Sequence, residues 1–411
     1  MDILRGFKDI LPQDMAKWHK LESTARDVIE SFGFKEIRTP ILEKTALFKR
    51  GVGEETDIVE KEMYTFLDKS DESVTLRPEG TASVVRAYID NHLELYPLKK
   101  YYYIGNMFRY ERPQKGRLRQ FSQIGVEVFG ISNPTIDAEL LYMNLLMLKK
   151  LKIDDIRVEI NNIGCEKCRP DYIAELKNYF SMNKEKLCDD CKRRLDKNPL
   201  RILDCKNSAC RSVAKDAPKI TQFVCNECSS HYNTVKERLN TFGVEYTENP
   251  HLVRGLDYYT KFVFEIITRK LGAQGTVSAG GRYDNLINQL GGKSSPGIGF
   301  ASGCERLVEL MEEGDLENID YYIANLNEDE YAVKIEQRLI SETKGRVYVE
   351  YEKKSLKSMM KKADKIKAAF VIIVGENERK ENRVIVKDMF NSNQNEYDLE
   401  TFLDNEVKRW Q

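Results

Sequence analysis

Apolar residues first recur at helical spacing and then in short alternating runs. Between Asp14 and Phe32 they lie three or four positions apart, which predicts an amphipathic helix. A second helix is predicted from Thr81 to Asn91, before the long strand run KKYYYIGNMFRYE (99–111). Between the two predicted helices lie the β-type runs EIRTPIL, EMYTFL and SVTLRP. Helices beside hairpin-linked strands predict an α+β domain built on an antiparallel sheet.

The pattern changes again along the rest of the chain. Residues 165–250 are polar and hold eight of the nine cysteines, so we expect an insertion with too few large apolar residues for a substantial core. Strand patterning returns in HLVRGLDYYTKFVFEIIT, and GIGFASGCERL predicts a strand running into a helix. Strands and helices alternate from 319 to 411, which predicts a separate α/β domain. The main domain would then be formed by 1–164 and 251–318.

Composition and charge indicate a folded soluble protein but do not identify its ligand. Of the 411 residues, 41% are hydrophobic and 32% charged, as in folded soluble proteins. A net charge of −1 leaves the partner open, because a balanced total can hide a basic cleft. The sequence has no signal-peptide pattern and no apolar run of about 18 residues, so we expect a cytoplasmic protein without membrane contact.

The return strand after residue 119 places polar side chains where a half-buried sheet should be apolar. Gln123 and Glu127 point the same way, and Gly125 between them is expected to leave room for a small ligand facing Arg109. The connecting loop RPQKGRLRQ, which includes Arg117, is basic enough to neutralise a polyphosphate or an RNA backbone. A solvent-facing hairpin with surface ion pairs is the alternative.

Three further stretches carry candidate chemistry. RGLDYY (254–259), in a β-type run, places an arginine beside two tyrosines, and SAGGRYD (278–284) pairs glycines with Arg282 and Asp284. GIGFASGCER puts Arg306 in the first turn of a helix, where the helix N-terminus adds positive potential. Core tyrosines and a surface arginine are the plain alternatives. GGKSS (291–295) lacks the first glycine of a P-loop, so phosphate binding would rest on arginines.

Together with EIRTPILEKTALFKRGVG (36–53), these stretches resemble the histidyl-tRNA synthetase family of class II aminoacyl-tRNA synthetases. That segment, MFRYERPQKGRLRQF and GIGFASGCERL are similar to class II motifs 1, 2 and 3, while RGLDYY and SAGGRYD resemble the histidine signatures. The resemblance implies a class II antiparallel sheet flanked by helices, a cysteine-rich helical insertion and a C-terminal α/β anticodon-binding domain. Tyr110 and Ser122 depart from it, since many relatives carry histidine there.

The resemblance also implies a reaction. The family activates L-histidine with ATP and Mg²⁺ to histidyl-adenylate and pyrophosphate, and then transfers histidine to the 3′ end of tRNA(His). It implies a homodimer joined through motif 1, catalytic roles for Arg254 and Arg109, and anticodon-stem contact by the lysine-rich stretch 353–367. The implied histidine contacts are Glu79, Gly80, Thr81, Arg109, Gln123, Glu127, Arg254, Tyr258 and Tyr259, and the implied ATP contacts are Arg109, Arg117 and Arg306.

The cysteines of the insertion form four closely spaced pairs. Thiols stay reduced in the cytoplasm, and paired thiolates suit tetrahedral Zn²⁺, so eight cysteines could close two structural Cys₄ sites. The predicted ligands are Cys165, Cys168, Cys188, Cys191, Cys205, Cys210, Cys225 and Cys228. The combination of pairs stays open, as do iron–sulfur ligation and cysteines without metal. His231 is either a substitute ligand or a surface residue.

Two other functions stay open on the sequence. One is a non-catalytic paralogue that serves as the regulatory subunit of ATP phosphoribosyltransferase and binds histidine as a signal. The other is a zinc-dependent nucleic-acid-binding module centred on the cysteines. The complete motif set and the long segment after motif 3 favour the ligase.

Overall fold

The computed structural model describes residues 2–54, 56–114, 116–272, 275–312 and 319–410. The chain divides into two compact units, Met1–Glu313 and Gly314–Gln411. The helices of the first unit are α1 Pro12–Ser31, α2 Thr45–Val52, α3 Thr81–Asp90, α4 Thr135–Lys150, α5 Arg169–Met182, α6 Asp189–Lys197, α7 Ser208–Ala214, α8 Asn226–Thr241, α9 Leu286–Gln289 and α10 Cys304–Leu310. Its strands are β1 Lys35–Glu36, β2 Leu42–Lys44, β3 Tyr64–Leu67, β4 Ser73–Leu76, β5 Lys100–Phe108, β6 Gln120–Phe129, β7 Arg157–Asn162, β8 Thr247–Glu248, β9 Thr260–Ile267, β10 Thr276–Arg282 and β11 Gly297–Gly303.

An eight-stranded sheet organises this unit, in the order β1-β5-β6-β11-β10-β9-β7-β8. Its pairs are antiparallel except β1 with β5 and β7 with β8 at the two edges. The β5–β6 register sets Tyr103 opposite Gly125 and Gly105 opposite Gln123, so these residues share one face as predicted. The α+β class with a mainly antiparallel sheet is confirmed.

The two faces of the sheet differ because the side chains alternate. In β6 the fully buried Ile124 and Val126 point to the large core, where α1, α4, α8 and α10 pack. Gln123 and Glu127 point to the other face, which α3 and a group of tyrosines cover. The first face therefore carries the larger core, and the second combines a smaller core with the polar side chains that can form a site.

Two predicted strands are shorter in the structure than in the sequence pattern. EIRTPIL contributes only the end of β1 and the start of β2, because Pro40 lacks an N–H and restricts the residue before it. RGLDYY lies in a loop, and β9 begins after it at Thr260. A separate three-stranded sheet, β2-β4-β3, lies beyond the break in EIRTPIL.

The cysteine-rich insertion has a core of its own, so the expectation that it would lack one is wrong. Its core residues are Tyr172, Leu176, Phe180, Leu187, Cys191, Leu195, Ile202, Leu203, Cys210, Val213, Ala214, Ala217 and Ile220. Eight of these thirteen residues are Leu, Ile, Val or Phe, so the few large apolar residues of the segment suffice because the short helices bring them into one cluster. The last helix of the region, α8, instead contributes Val235 and Leu239 to the large core.

The second unit is a five-stranded sheet with helices. Its elements are β12 Tyr321–Asn325, α11 Asp329–Glu342, β13 Val347–Val349, α12 Leu356–Lys365, β14 Phe370–Val374, α13 Glu376–Lys380, β15 Arg383–Asp388, β16 Gln394–Asp398 and α14 Leu399–Trp410. The order is β13-β12-β14-β15-β16, parallel over the first three strands. The sequence pattern misses β16, an edge strand of polar, exposed residues. Across the described residues, no helix combines the length and apolarity needed to span a bilayer.

Candidate functional site

A cleft of about 1020 Å³ opens on the polar face of the large sheet. Its walls come from β5, β6, β10 and β11, from the loop before β9 and from residues 203–215 of the insertion. Nine of the eleven residues predicted to meet histidine or ATP line it, namely Glu79, Thr81, Arg109, Arg117, Gln123, Arg254, Tyr258, Tyr259 and Arg306. Gly80 and Glu127 lie behind this surface.

The carboxyl group of Glu127, on β6, is buried behind the wall of the cleft. Its side chain is 1% exposed. Thr81 donates its hydroxyl to Oε1 at 2.7 Å, and Tyr283 donates to Oε2. Burial disfavours the ionised form and raises the pKa of Glu127 to about 8, although both hydroxyl donors oppose the rise. Near pH 7 the free protein therefore favours the neutral acid.

Two glycines of the site make room for a tyrosine. An ideal Cβ atom at Gly80 or at Gly125 would lie 2.2 Å from Cζ of Tyr103, so the phenol ring fits between them only because both lack a side chain. The prediction that Gly125 leaves room for a ligand is therefore wrong at this position. The Tyr103 hydroxyl is buried and has no hydrogen-bond partner in the described part of the chain.

Glu79 and Gln123 present polar atoms to the same end of the cleft. The Glu79 carboxylate accepts the backbone N–H groups of Thr81 and Ala82 at 2.7 and 2.8 Å, at the start of α3. Burial raises the pKa of Glu79 against the effect of these two bonds. Oε1 of Gln123 is buried without a partner among the described residues. An ammonium group bound in the cleft would satisfy it.

Three arginines also line the cleft. Nε of Arg109 donates to a backbone carbonyl at 2.8 Å, and Arg117 pairs with Glu111 at 2.8 Å. Arg306 donates to the Gly116 carbonyl at 3.1 Å. Burial lowers the pKa of Arg306, and the positive charges of Arg117 and Arg109 lower it further. Guanidinium groups that repel one another in a half-buried cleft suit a polyanion.

Arg254 lies on the loop that leads to β9. Its guanidinium donates to Glu265, and its Nε is buried with no partner in the described ranges. Its carbonyl accepts a hydrogen bond from Arg201 of the insertion at 2.9 Å. Tyr258 and Tyr259 follow, with ring centroids 4.7 Å apart. The loop thus brings a cation and two aromatic rings to one side of the cleft.

Three residues of the site were missed by the sequence analysis. The pattern points to Arg282 and Asp284 within SAGGRYD, whereas Tyr283 between them reaches the pocket. Glu265 and Tyr103 lie in regularly alternating strands, so nothing in the sequence distinguishes them from other strand residues. Only the register with neighbouring strands brings them to the cleft.

The eight cysteines of the insertion form two groups. Cys165, Cys168, Cys225 and Cys228 make the first, and Cys188, Cys191, Cys205 and Cys210 make the second, with all sulfur atoms of each group within 4.8 Å of one another. Sulfur-to-sulfur distances of 3.6, 3.8, 3.9 and 4.0 Å match the edge of a tetrahedron with Zn–S bonds of about 2.3 Å, which is ~3.8 Å. Both groups could hold a metal ion, and the second borders the cleft through Cys205.

His231 belongs to neither group. Its Nε2 lies 3.2 Å from the buried carboxylate of Asp137, which also pairs with Arg282 at 2.6 Å. His231 is 9% exposed, so both readings of it, as a substitute ligand and as a surface residue, are wrong. The three side chains instead join α8, α4 and β10 inside the first unit, where a buried charge needs a partner.

An antiparallel sheet with this arginine-lined cleft defines the chain as a class II aminoacyl-tRNA synthetase. The sequence profile described as histidyl-tRNA synthetase matches residues 6–168 and 206–307, and that of an anticodon binding domain matches residues 320–409. The chain belongs to the histidyl-tRNA synthetase family. The stretch between the two matched ranges, residues 169–205, lies within the insertion.

Individual relatives agree over the full length. The histidine–tRNA ligase of Halothermothrix orenii is 49% identical over 94% of each chain, and that of Thermodesulfovibrio yellowstonii is 48% identical over 98% of this chain and 97% of its own. The crystal structure of apo histidyl-tRNA synthetase from S. aureus, 37% identical, covers 99% of this chain and 100% of its own with a TM-score of 0.83.

Proposed function

We propose that the cleft activates L-histidine with Mg²⁺-ATP and then passes the histidyl group to the 3′ end of tRNA(His). The observation that carries the proposal is one cleft lined both by polar groups, here called its polar end, and by three arginines, here called its arginine end. Arg109 lies where the two meet, since it donates to the carbonyl of the residue before Glu79. The histidine carboxylate attacks the α-phosphorus, an O–P bond forms, and the bond to pyrophosphate breaks. The terminal ribose hydroxyl then attacks the activated carbonyl, and AMP leaves.

Histidine binds at the polar end. Glu79, Thr81 and Gln123 receive the α-ammonium group, which supplies the donor that Gln123 Oε1 lacks. Tyr259 and Glu127 bind the imidazole. Because Thr81 now donates to Glu127, histidine binding exchanges that hydrogen bond for one from the ring. A site with such polar groups rejects side chains without a ring N–H, since they would leave buried partners unpaired.

ATP binds at the arginine end. The first step brings a carboxylate to a triphosphate, so repulsion between anions is the barrier that fixed cations lower. Arg109 contacts the α-phosphate and the carboxylate, while Arg117 and Arg306 contact the outer phosphates. Glu111 and Glu305 line the same end and offer oxygen ligands for the Mg²⁺ carried by ATP.

Arg254 acts as the catalytic cation beside the reacting phosphate. In Arg254→Ala, histidine-dependent ATP–pyrophosphate exchange should slow by roughly 10²- to 10³-fold, because a preorganised charge acts mainly in the transition state. Histidine affinity measured by calorimetry should fall much less. A variant that exchanges at near-normal rate contradicts this role. Exchange that does not depend on histidine in the native protein would overturn the proposed reaction itself.

The remaining parts fit a cytoplasmic enzyme with an interrupted catalytic domain. We assign 1–164 and 251–318 to catalysis, 165–250 to the insertion and 319–411 to anticodon binding. On α12 and the loops beside it, Lys353, Lys357, Lys361, Lys365 and Lys367 are exposed, as contact with an RNA stem requires. Each cysteine group holds one structural Zn²⁺, with four thiolates and no open position.

A homodimer is supported by an exposed apolar face. In the sheet β2-β4-β3, Leu76 of the central strand pairs with Leu42 on one side and with Tyr64 on the other. Phe66 pairs with Val74 on the same face. Leu42 is 46% and Phe66 48% exposed. An apolar sheet face next to motif 1 is suited to a two-fold interface, where the same patch meets itself.

A further inference from the structure

The loop from Arg254 to Tyr259 has no regular secondary structure, yet it carries the proposed catalytic cation and both tyrosines. A loop without a hydrogen-bonded ladder needs other partners to keep a fixed backbone. In this protein the insertion supplies such a partner at each end of the loop.

Arg201 holds the start of the loop. Its Nη1 donates to the Arg254 carbonyl at 2.9 Å, and its Nη2 lies 3.7 Å from Asp57. The side chain is only 11% exposed. Asn198, three residues earlier, donates to Oδ1 of Asp257 at 3.0 Å.

Arg169 holds the end of the loop. It directly follows Cys168 and donates to the Tyr259 carbonyl, with a second hydrogen bond from Nε to Ile163 O at 3.4 Å. Two arginines of one insertion therefore bond the first and last carbonyls of the same loop.

The end of α2 and the residue after it contact the opposite side of the loop. The Asp257 N–H donates to the Val52 carbonyl at 3.2 Å, and an ideal Cβ at Gly53 would lie 2.7 Å from Asp257 Oδ2. Arg194 pairs with Asp57 at 2.7 Å and so ties the insertion to the same side. The loop is packed between the end of α2 and the insertion, which leaves little freedom for the Arg254 backbone.

Each arginine is placed by a cysteine group. Arg169 adjoins Cys168 of the first group, and Arg201 lies between Cys191 and Cys205 of the second, in the 3₁₀ turn Pro199–Ile202. Both lie in the stretch between the two ranges that the family profile matches.

We infer that Arg201 and Arg169 are positioning residues that clamp the two ends of the loop from Arg254 to Tyr259 and so set the place of the Arg254 guanidinium. The inference rests on the proposed role of Arg254. A displacement of a reacting group by about 1 Å can cost on the order of 10²-fold in rate. The clamp thus gives the insertion a part in adenylate formation, before any tRNA is bound.

The test uses Arg201→Met and Arg169→Met in the full-length, metal-loaded protein, with histidine-dependent pyrophosphate exchange as the assay. Each variant should lower kcat by about 10- to 100-fold, with KM for ATP and histidine changed by less than about threefold. Arg201→Lys, which keeps a donor, should recover most of the loss. Arg193→Met is the matched control, since Arg193 is exposed and pairs with Asp190 on the same helix; it should exchange at the native rate.

Metal content and thermal melting show whether a variant has lost only the contact to the loop or has lost its folded structure. Arg201→Met should keep the zinc content and melting temperature of the native protein. If Arg169→Met loses zinc, Arg201→Met and Asn198→Ala carry the test, and Asn198→Ala should slow exchange several-fold. Native kcat in Arg201→Met, or no recovery in Arg201→Lys, overturns the inference.

A double-mutant cycle distinguishes action through Arg254 from a general effect. In the Arg254→Ala background, Arg201→Met should cost less than about threefold, because the group it positions is gone. The same loss in both backgrounds contradicts the inference while leaving the proposed reaction intact. Near-normal exchange by Arg254→Ala alone instead overturns the proposed role of Arg254, and the clamp with it.

Discussion

At the scale of the residue, burial raises the pKa of Glu127 by more than its two hydrogen bonds lower it. Thr81 and Tyr283 both donate to its carboxyl group, yet loss of water raises its pKa to about 8. Unfolding returns the group to water, where it titrates near pH 4.5. The folded protein therefore binds a proton that the unfolded chain releases over this range of pH.

That difference predicts a pH dependence of stability. The contribution of Glu127 is fully present below about pH 4.5 and is lost as pH rises through about 8, because the folded state then holds a proton that the unfolded state does not. Glu127→Gln cannot titrate, so its free energy of unfolding relative to the native protein should rise by up to about 1.4 kcal/mol per pH unit in that window. Urea denaturation at pH 5 and pH 8 measures it.

Comparing the two proteins at each pH cancels the contributions that other titrating groups make to stability. Glu305 is one of them, since burial raises its pKa to about 7. Histidine binding supplies a control, since Glu127→Gln should weaken it while ATP affinity stays unchanged. A constant stability difference from pH 5 to pH 8 would show that Glu127 is ionised in the folded protein.

At the scale of the element, the insertion joins two cysteine groups to the catalytic loop. Segments α5 to α7 pack around their own core, and Leu203, Cys205 and Arg211 reach the wall of the cleft. Metal would hold the short helices in place, since binding free energy at a closed Cys₄ site becomes folding free energy. Removal of metal should therefore act on the loop as well as on the insertion.

Zinc removal is predicted to slow adenylate formation. Protein purified without chelator should carry about two zinc per chain, and chelation should reduce histidine-dependent pyrophosphate exchange together with tRNA charging. Zinc added back should restore both, which controls for irreversible damage. If pyrophosphate exchange continues after full removal of zinc while tRNA charging is lost, the cysteine groups do not act through the loop.

At the scale of the whole molecule, the apolar face of β2-β4-β3 predicts assembly. Phe66→Glu places a charge on this face, so the variant should be monomeric at micromolar concentration and lose most of its exchange activity. Light scattering coupled to gel filtration gives the mass. Met182→Glu is the control, because Met182 is 80% exposed in the insertion, and it should stay dimeric. A native protein that is monomeric and fully active contradicts the prediction.

The spacing of apolar and polar residues within short segments correctly predicts several helices and strands. The periodicity from Asp14 to Phe32 anticipates α1, and the alternation around Gln123 and Glu127 places both on the polar face of β6. The resemblance to the histidyl-tRNA synthetase family implies nine residues that the structure brings to one cleft. These signals succeed because helix and strand periods, and the chemistry of an arginine-rich loop, are properties of short segments.

What the sequence by its motifs and periods determined is therefore the family of the protein and the order of most of its helices and strands. Only the tertiary structure decided which cysteines combine, since Cys165 meets Cys225 across 60 positions. It also decided that Tyr103 fills the space beside Gly125, that His231 bonds Asp137, and that Arg201 holds Arg254. Each is a contact between distant segments, and its geometry depends on strand register and packing that no local period encodes.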